Sequence, residues 1–433
     1  MRLAICPALL AAAMACGSAG GPTASEASPA PAATGTPAAT ADLCAGLAAD
    51  KAPHPFTALG RPALRVPVTD PDFGARIIRI TDAKASAGDN AVIKPMYSTT
   101  QAWNADESLL VLWNRARGHE LYDGRSYAFV RGLPLESPTD LEQLYWDPLD
   151  PDVLYYPSNF QAQPRLMRYR VSRNASDLVR DFGSAPTRCP VSWDALLTTG
   201  SDPLDMSWGS ERVIGLRCGR TKFVYSIAQD KVLGILSDAG DTTPGVSPDG
   251  ALAYYQGRVY DAALNSLRTL ALANPDEHSC LGRGADGPLF GAVDFDGTPP
   301  GSLIAHDMRT GAKHPVVSTA TGWPYPPTGT HVSGLARSGP PGWFALSVVG
   351  DPAKNCVLCQ ELLLANADTG AVCRVARHRS WAGEGRWGYW AEPHVGLSPT
   401  GTRLLFGSDW GNGLTVDTYV VELPAYAGRS SSR

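Results

Sequence analysis

Gly245-Val-Ser-Pro-Asp-Gly250, followed by ALAYYQGRVYD over residues 251–261, decides how the rest of the chain is read. A short apolar pair runs into a tight turn, and an alternating strand leaves it. Proline presets φ for the turn, the Asp side chain accepts from nearby backbone, and glycine takes the left-handed position. The motif returns at Gly396-Leu-Ser-Pro-Thr-Gly401, followed by TRLLFGSDW over 402–410. Looser copies lie on either side. Met96–Trp103 turns at Asn104-Ala-Asp-Glu107 into Leu109–Trp113, and Leu141–Trp146 turns at Asp147–Asp152 into Val153–Tyr156. Others centre on Asp205–Trp208 with Arg212–Leu216, on His278 with Gly284-Ala-Asp-Gly287, on His331–Leu335 with Trp343–Val349, and on His394. Between Asp70 and Leu423 no stretch keeps a 3.6-residue apolar period, whereas period-2 runs bounded by turn residues are frequent.

A β-only unit recurring about every 40–60 residues means a propeller or solenoid, because each unit buries its faces only against its neighbours. Seven such units predict an all-β fold, a seven-bladed β-propeller spanning residues 43–433. The last unit ends after Val416–Leu423 with no outer strand, while Ala75-Arg-Ile-Ile-Arg-Ile-Thr81 is a strand with no blade. The two are expected to pair, so that an N-terminal strand closes the ring and removes its open sheet edges.

Ahead of the propeller, Arg2 precedes an apolar run from Leu3 to Ala15, too short to span a bilayer and ending in small residues. Residues 1–16 therefore read as a secretory signal peptide. Ala13-Met-Ala-Cys16 resembles a bacterial lipobox in which Cys16 becomes the lipidated first residue. Ala13 stands where that motif usually has Leu, which keeps ordinary signal cleavage open. Residues 17–42, nearly all Gly, Ser, Pro, Ala and Thr, offer no apolar face and are expected to form a flexible, disordered linker. The expected location is outside the inner membrane, in the periplasm or at the cell surface, with the membrane met only through the lipid.

Composition narrows the function classes. The chain has 433 residues with 37 basic and 42 acidic side chains, net charge −5, and no basic run. That argues against nucleic acid or an anionic membrane as a partner; a monomer is expected. There is no Gly-x-Ser-x-Gly elbow, phosphate loop or dinucleotide fingerprint. Beyond the signal lie seven cysteines: Cys44, Cys189, Cys218, Cys280, Cys356, Cys359 and Cys373. Export permits disulfides, and an odd count leaves at least one thiol outside a bridge within the chain. Cys189 and Cys218 flank one candidate blade and are the expected local bridge. Cys356-Val-Leu-Cys359 has knuckle or redox spacing, but without a second such pair it reads as structural.

Registering the units on their first turn lines up three histidines. His394 lies four residues before Ser398, His331 holds the corresponding place in the preceding unit, and His278 stands just upstream of the strand before that. Glu392, two residues from His394, shares its side of an extended chain. Resemblance to known propellers of this type implies that inner strands begin around the channel at one face, so three adjacent blades would aim imidazoles at one funnel beside a carboxylate. That donor set suits a divalent metal such as Mn²⁺ or Zn²⁺.

The units resemble those of periplasmic WD-type and Tol-translocation-type propellers over most of residues 75–424. The histidine arrangement, through the propeller pattern and the Glu392-x-His394 pair, resembles the oligogalacturonate lyases, although the rest of that family's ligand set is not reproduced. The resemblance implies a metal facing a uronate carboxylate while a basic side chain removes the neighbouring ring proton. His378, Arg379 and Tyr389 lie just ahead of Glu392 and are the candidates for those roles. Trp323 and Tyr325 lead into His331, and Trp390 into His394; their rings suit sugar stacking or packing between blades. Two functions remain from different classes. One is a tethered propeller binding a glycan, peptide or protein partner on its channel face. The other is a metal-dependent carbohydrate-active enzyme performing uronate β-elimination.

Overall fold

The computed structural model describes residues 42–89, 91–200, 206–350, 356–383 and 385–426. The signal peptide, Cys16, and all but the last residue of the linker lie outside them. Six antiparallel four-stranded sheets and one five-stranded sheet form seven blades. From the channel outward, blade one runs from Ile93–Lys94 through Leu109–Asn114 and Gly118–Asp123 to Phe129–Gly132. Blades two to six begin at Tyr145–Trp146, Leu197–Thr198, Gly245–Val246, Ser279–Arg283 and Thr330–Ser333.

Blade seven is built from both ends of the domain. Gly396–Leu397, Arg403–Ser408 and Asp417–Glu422 come from the C-terminal side, and Arg76–Arg79 adds the fourth strand. Ile77 stands opposite Val421 and Ile78 opposite Val420, so the orphan strand closes the ring as its sequence predicts. Pro67–Thr69 then extends this blade to five strands. Ile77, Val421 and Tyr419 are fully buried, packed with Leu404 and Phe406 in one apolar cluster. At about 25 cal/mol per Å² of apolar surface buried, clusters of this kind between blades are the main force holding the ring.

Blade one departs from the expected pattern in a way that matters for the site. Met96–Trp103 was expected to be its innermost strand. Instead Ile93 pairs with Asn114 and Trp103 with Leu110. The eleven residues from Ile93 to Trp103 thus oppose only five, and the excess leaves the ladder as a buried excursion over residues 95–101. Pro95 cannot donate to a ladder, and the polar run Ser98-Thr-Thr-Gln101 has no apolar alternation to hold it there. Gln101 Nε2 donates instead to the carbonyls of Leu335 (3.1 Å) and Leu397 (2.9 Å), on the blade six and blade seven sides of the channel.

Before the first closing strand, residues 43–57 form a strap across the outer side of blade six. Cys44 is bonded to Cys373 of that blade's outermost strand, and three arginines at the strand's end fasten the rest. Arg374 makes a bidentate pair with Glu361 (2.8 and 2.6 Å) and donates to the Ala52 carbonyl. Arg377 reaches Asp72 (3.1 Å) and the His54 carbonyl (2.8 Å), and its guanidinium lies over the Phe56 ring. Arg379 binds the Thr57 carbonyl (2.8 Å) and Asp70 (3.3 Å). Cys189–Cys218 forms as expected, Cys356–Cys359 is bridged locally, and Cys280 is a buried thiol. Among the described residues no helix is long and apolar enough to cross a membrane.

Candidate metal centre

His278, His331 and His394 come from blades five, six and seven, and their rings follow one another around the channel. The centroids of His278 and His331 are 4.4 Å apart, and those of His331 and His394 4.2 Å. Each ring is placed by its blade. His331 sits within the inner strand of blade six opposite Ser347. His278 immediately precedes the inner strand of blade five, its carbonyl accepting from Val293 N (2.9 Å). His394 holds φ +43°, a left-handed conformation uncommon for a residue other than glycine, and so turns its ring inward just before Gly396.

Glu392 completes the group. Its Oε2 lies 3.5 Å from His331 Nε2 and 3.8 Å from His394 Nε2. One ligand atom from each of His331, Glu392 and His394 falls within 4.8 Å of the others. Bonds of about 2.0–2.2 Å to a divalent ion put neighbouring donors roughly 3–4 Å apart, so the 3.5 and 3.8 Å separations of Glu392 from the two imidazoles fit a single cation. Both nitrogens of His331 and Nε2 of His394 are buried with no hydrogen-bond partner. Each buried unmatched polar atom costs on the order of 1–3 kcal/mol; a cation would relieve that cost. The His394 Nδ1 lies 2.9 Å from the Glu392 carbonyl. Donation from Nδ1 to that oxygen leaves Nε2 as the lone pair facing the group, the arrangement metal-bound imidazoles favour.

Burial holds His331 and His394 well below the ordinary histidine range, so both are neutral and able to ligate. Burial also raises the Glu392 carboxyl. Two side chains that the sequence reading did not single out join them, both from blade one. Lys94 Nζ stands 2.5 Å from His394 Nδ1, and burial brings its pKa down to about 7. The excursion carries Tyr97 over the three imidazoles, with its hydroxyl 3.0 Å from His278 Nδ1 and its ring 4.9 Å from that of His394. The signal that would have found them is Pro95, which marks where the chain abandons the ladder.

The remaining residues named from the sequence fall into two groups. Tyr389 lies at the site, its ring 5.1 Å from that of His394 and its hydroxyl donating to Glu142 of the blade two segment (3.1 Å). Trp390 stacks on Trp113 at 5.2 Å. Trp323 is buried in the core of blades five and six, and Tyr325 is a surface ring near Phe295. Arg379 belongs to the strap contacts. His378 has both nitrogens engaged, Nε2 with the Val348 carbonyl (2.9 Å) and Nδ1 with Ser380 N–H (3.0 Å). Neither is available to the funnel.

His378 and the buried His306 make the fold acid-sensitive. Burial pushes each down to about 4. An unfolded histidine takes up its proton near 6.5, so stability is intact above that value and is lost as pH falls toward 4. Each group contributes a loss of on the order of 3 kcal/mol across that window. Denaturant unfolding at pH 7 and pH 4.5 checks this, and equal stabilities would refute it.

No family model matches the chain, and no curated protein matches it by sequence. Solved structures do match in fold. An oligogalacturonate lyase in complex with manganese aligns with a TM-score of 0.57 at 15% identity, covering 87% of this chain and 98% of the other. An oligogalacturonate lyase from Vibrio parahaemolyticus aligns with a TM-score of 0.58 at 12% identity, covering 83% and 97%. The chain thus has the seven-bladed propeller fold of oligogalacturonate lyase structures.

Proposed function

We propose that this chain is an exported, lipid-anchored propeller that binds a divalent cation at its channel mouth and acts on a uronate-containing glycan by β-elimination. The observation that carries the reading is the convergence of His331, Glu392 and His394 with their unmatched buried nitrogens. Manganese fits this mixed imidazole–carboxylate set, as does zinc. The fold similarity to manganese-bound oligogalacturonate lyase supports the same reading. Export and anchoring are supported by the apolar run Leu3–Ala15 and by Cys16.

A bound divalent cation would supply positive charge to the uronate carboxylate and so acidify the adjacent C–H. His278, outside the three-residue ligand group, is the side chain placed to take that proton, with the Tyr97 hydroxyl fixing its ring. The C–H electron pair forms the ring double bond, the bond to the β-oxygen breaks, and the departing oxygen takes a proton from water, to which His278 returns its own. Tyr389 offers a ring face for the sugar.

Binding without turnover is the second reading. It is favoured by the engagement of His378 and Arg379 elsewhere, which leaves few groups free for proton transfer. Incubating the manganese-loaded protein with uronate oligosaccharides separates the two. The expected result is a growing ultraviolet absorbance from the new C=C conjugated to the carboxylate, abolished by chelation. Metal-dependent binding with no such product would establish the second reading, and protein that takes up neither Mn²⁺ nor Zn²⁺ would remove both.

A further inference from the structure

The Tyr97 hydroxyl and His278 Nδ1 stand 3.0 Å apart beside the metal group. Both side chains also line a cavity of about 350 Å³ that opens there toward blades four and five, within the range of small-ligand pockets. The excursion holds Tyr97 at this border. Its far end is anchored by Gln101 to the carbonyls of blades six and seven. Between them, Thr100 N–H closes a turn on the Tyr97 carbonyl (3.3 Å), and the Thr100 hydroxyl donates to the Glu142 carbonyl (3.0 Å). The Tyr97 ring meets that of His331 edge-on at 5.6 Å. With only 8% of the residue exposed, the ring has little freedom to leave His278.

A neutral imidazole carries one proton, and the hydrogen bond at one nitrogen sets which of the two holds it. For His278 to take the α-proton of a uronate at Nε2, its own proton must sit on Nδ1 and be donated to the Tyr97 oxygen. The Tyr97 O–H then points away from the imidazole, and the space the two residues share is the cavity. We propose that Tyr97 is a further catalytic residue, the acid that protonates the departing β-oxygen in place of water. This rests on the reading that the chain performs β-elimination with His278 as base. The proton balance closes within the pair. Nε2 takes the proton from the α-carbon, and the C–H electron pair becomes the double bond. The bond to the β-oxygen breaks with its electrons on oxygen, which receives the Tyr97 hydroxyl proton. The Nδ1 proton of His278 then restores the hydroxyl. His278 ends neutral with its proton on Nε2, and exchange with water returns the starting tautomer. The step itself draws no proton from solvent, which is what a positioned acid contributes.

Two measurements test this. In the metal-free full chain, nitrogen NMR of histidine-labelled protein should find His278 protonated on Nδ1, with His278→Gln assigning the signal. A proton held on Nε2 would overturn the proposal, since base and acid could not then be set as described. The second measurement compares wild type and Tyr97→Phe, both loaded with Mn²⁺, on two probes. One is a uronate oligosaccharide, whose departing sugar oxygen needs a proton. The other is a uronide bearing nitrophenolate on the β-carbon, which leaves as the anion. The variant should lose about 100-fold in kcat on the first and stay within about threefold on the second, with Mn²⁺ affinity unchanged by calorimetry. No loss on either probe, or an equal loss on both, overturns proton delivery by Tyr97 and leaves the proposed function standing. Should the variant not fold, difluorotyrosine at position 97 replaces it. Its more acidic hydroxyl must change the oligosaccharide rate and not the nitrophenolate rate. Wild type that binds uronate but cleaves neither probe removes β-elimination and the Tyr97 role together.

Discussion

Glu361→Gln should cost the propeller about 3–5 kcal/mol, the range expected when one partner of a buried ion pair is removed. Glu361, Arg374 and Arg377 are all fully buried. The carboxylate takes both guanidinium donors of Arg374, accepts from Leu358 N–H (3.1 Å), and lies 3.6 Å from Arg377. Glutamine keeps the volume but replaces an acceptor with an N–H₂ that faces two cations. Arg374 is left with the Ala52 carbonyl and a 3.4 Å contact to the half-exposed Asp50. Since the same guanidinium grips the strap, the damage should spread to residues 50–73. Chemical denaturation reads the loss, and a change below about 1 kcal/mol would show that the network contributes little. Glu361→Met combined with Arg374→Met should recover much of it, because an apolar pair of similar volume leaves less buried charge unmatched.

His394→Ala should weaken divalent metal binding by at least about 100-fold. Loss of groups that merely orient a ligand commonly costs 10–100-fold, and His394 would be a direct ligand. Folding should survive, since the ring makes no conventional hydrogen bond through Nε2 and its removal takes away a buried unmatched atom. Manganese titration followed by calorimetry checks the affinity, with circular dichroism as the control. Unchanged affinity would mean that the cation, if bound at all, sits elsewhere. His278→Ala separates ligand from neighbour: metal affinity should hold while β-elimination is lost.

The blades were legible because their signals are local. Ser247-Pro-Asp-Gly250 specifies a turn through four consecutive residues, and the strand after it announces its own buried face by alternation. Ring closure was legible for a different reason, since one blade lacked a strand and one strand lacked a blade. The three histidines could be aligned because neighbouring blades repeat one geometry. Lys94 and Tyr97 escaped notice because they depend on the excursion at 95–101, where the chain leaves the repeat and pattern stops being informative. His378 and Arg379 illustrate the opposite difficulty. They are close to Glu392 in sequence, but in a propeller the chain passes from the rim of one blade to the hub of the next. The outermost strand Val372–Arg377 delivers them to the rim, where strap and sheet take up their hydrogen bonds.

The closure of blade seven also dates the site. Lys94 and Tyr97 are among the early residues of the domain to be synthesised, while Glu392 and His394 come some three hundred residues later. The strand Arg76–Arg79 must wait, unpaired on one side, until Asp417–Glu422 has emerged to receive it. Val92 bridges Val416 at the same seam, and Lys94 meets His394 just beyond it. Lys94 and Tyr97 therefore join His331, Glu392 and His394 only when the last blade locks onto the first, so a partly synthesised chain lacks the complete set.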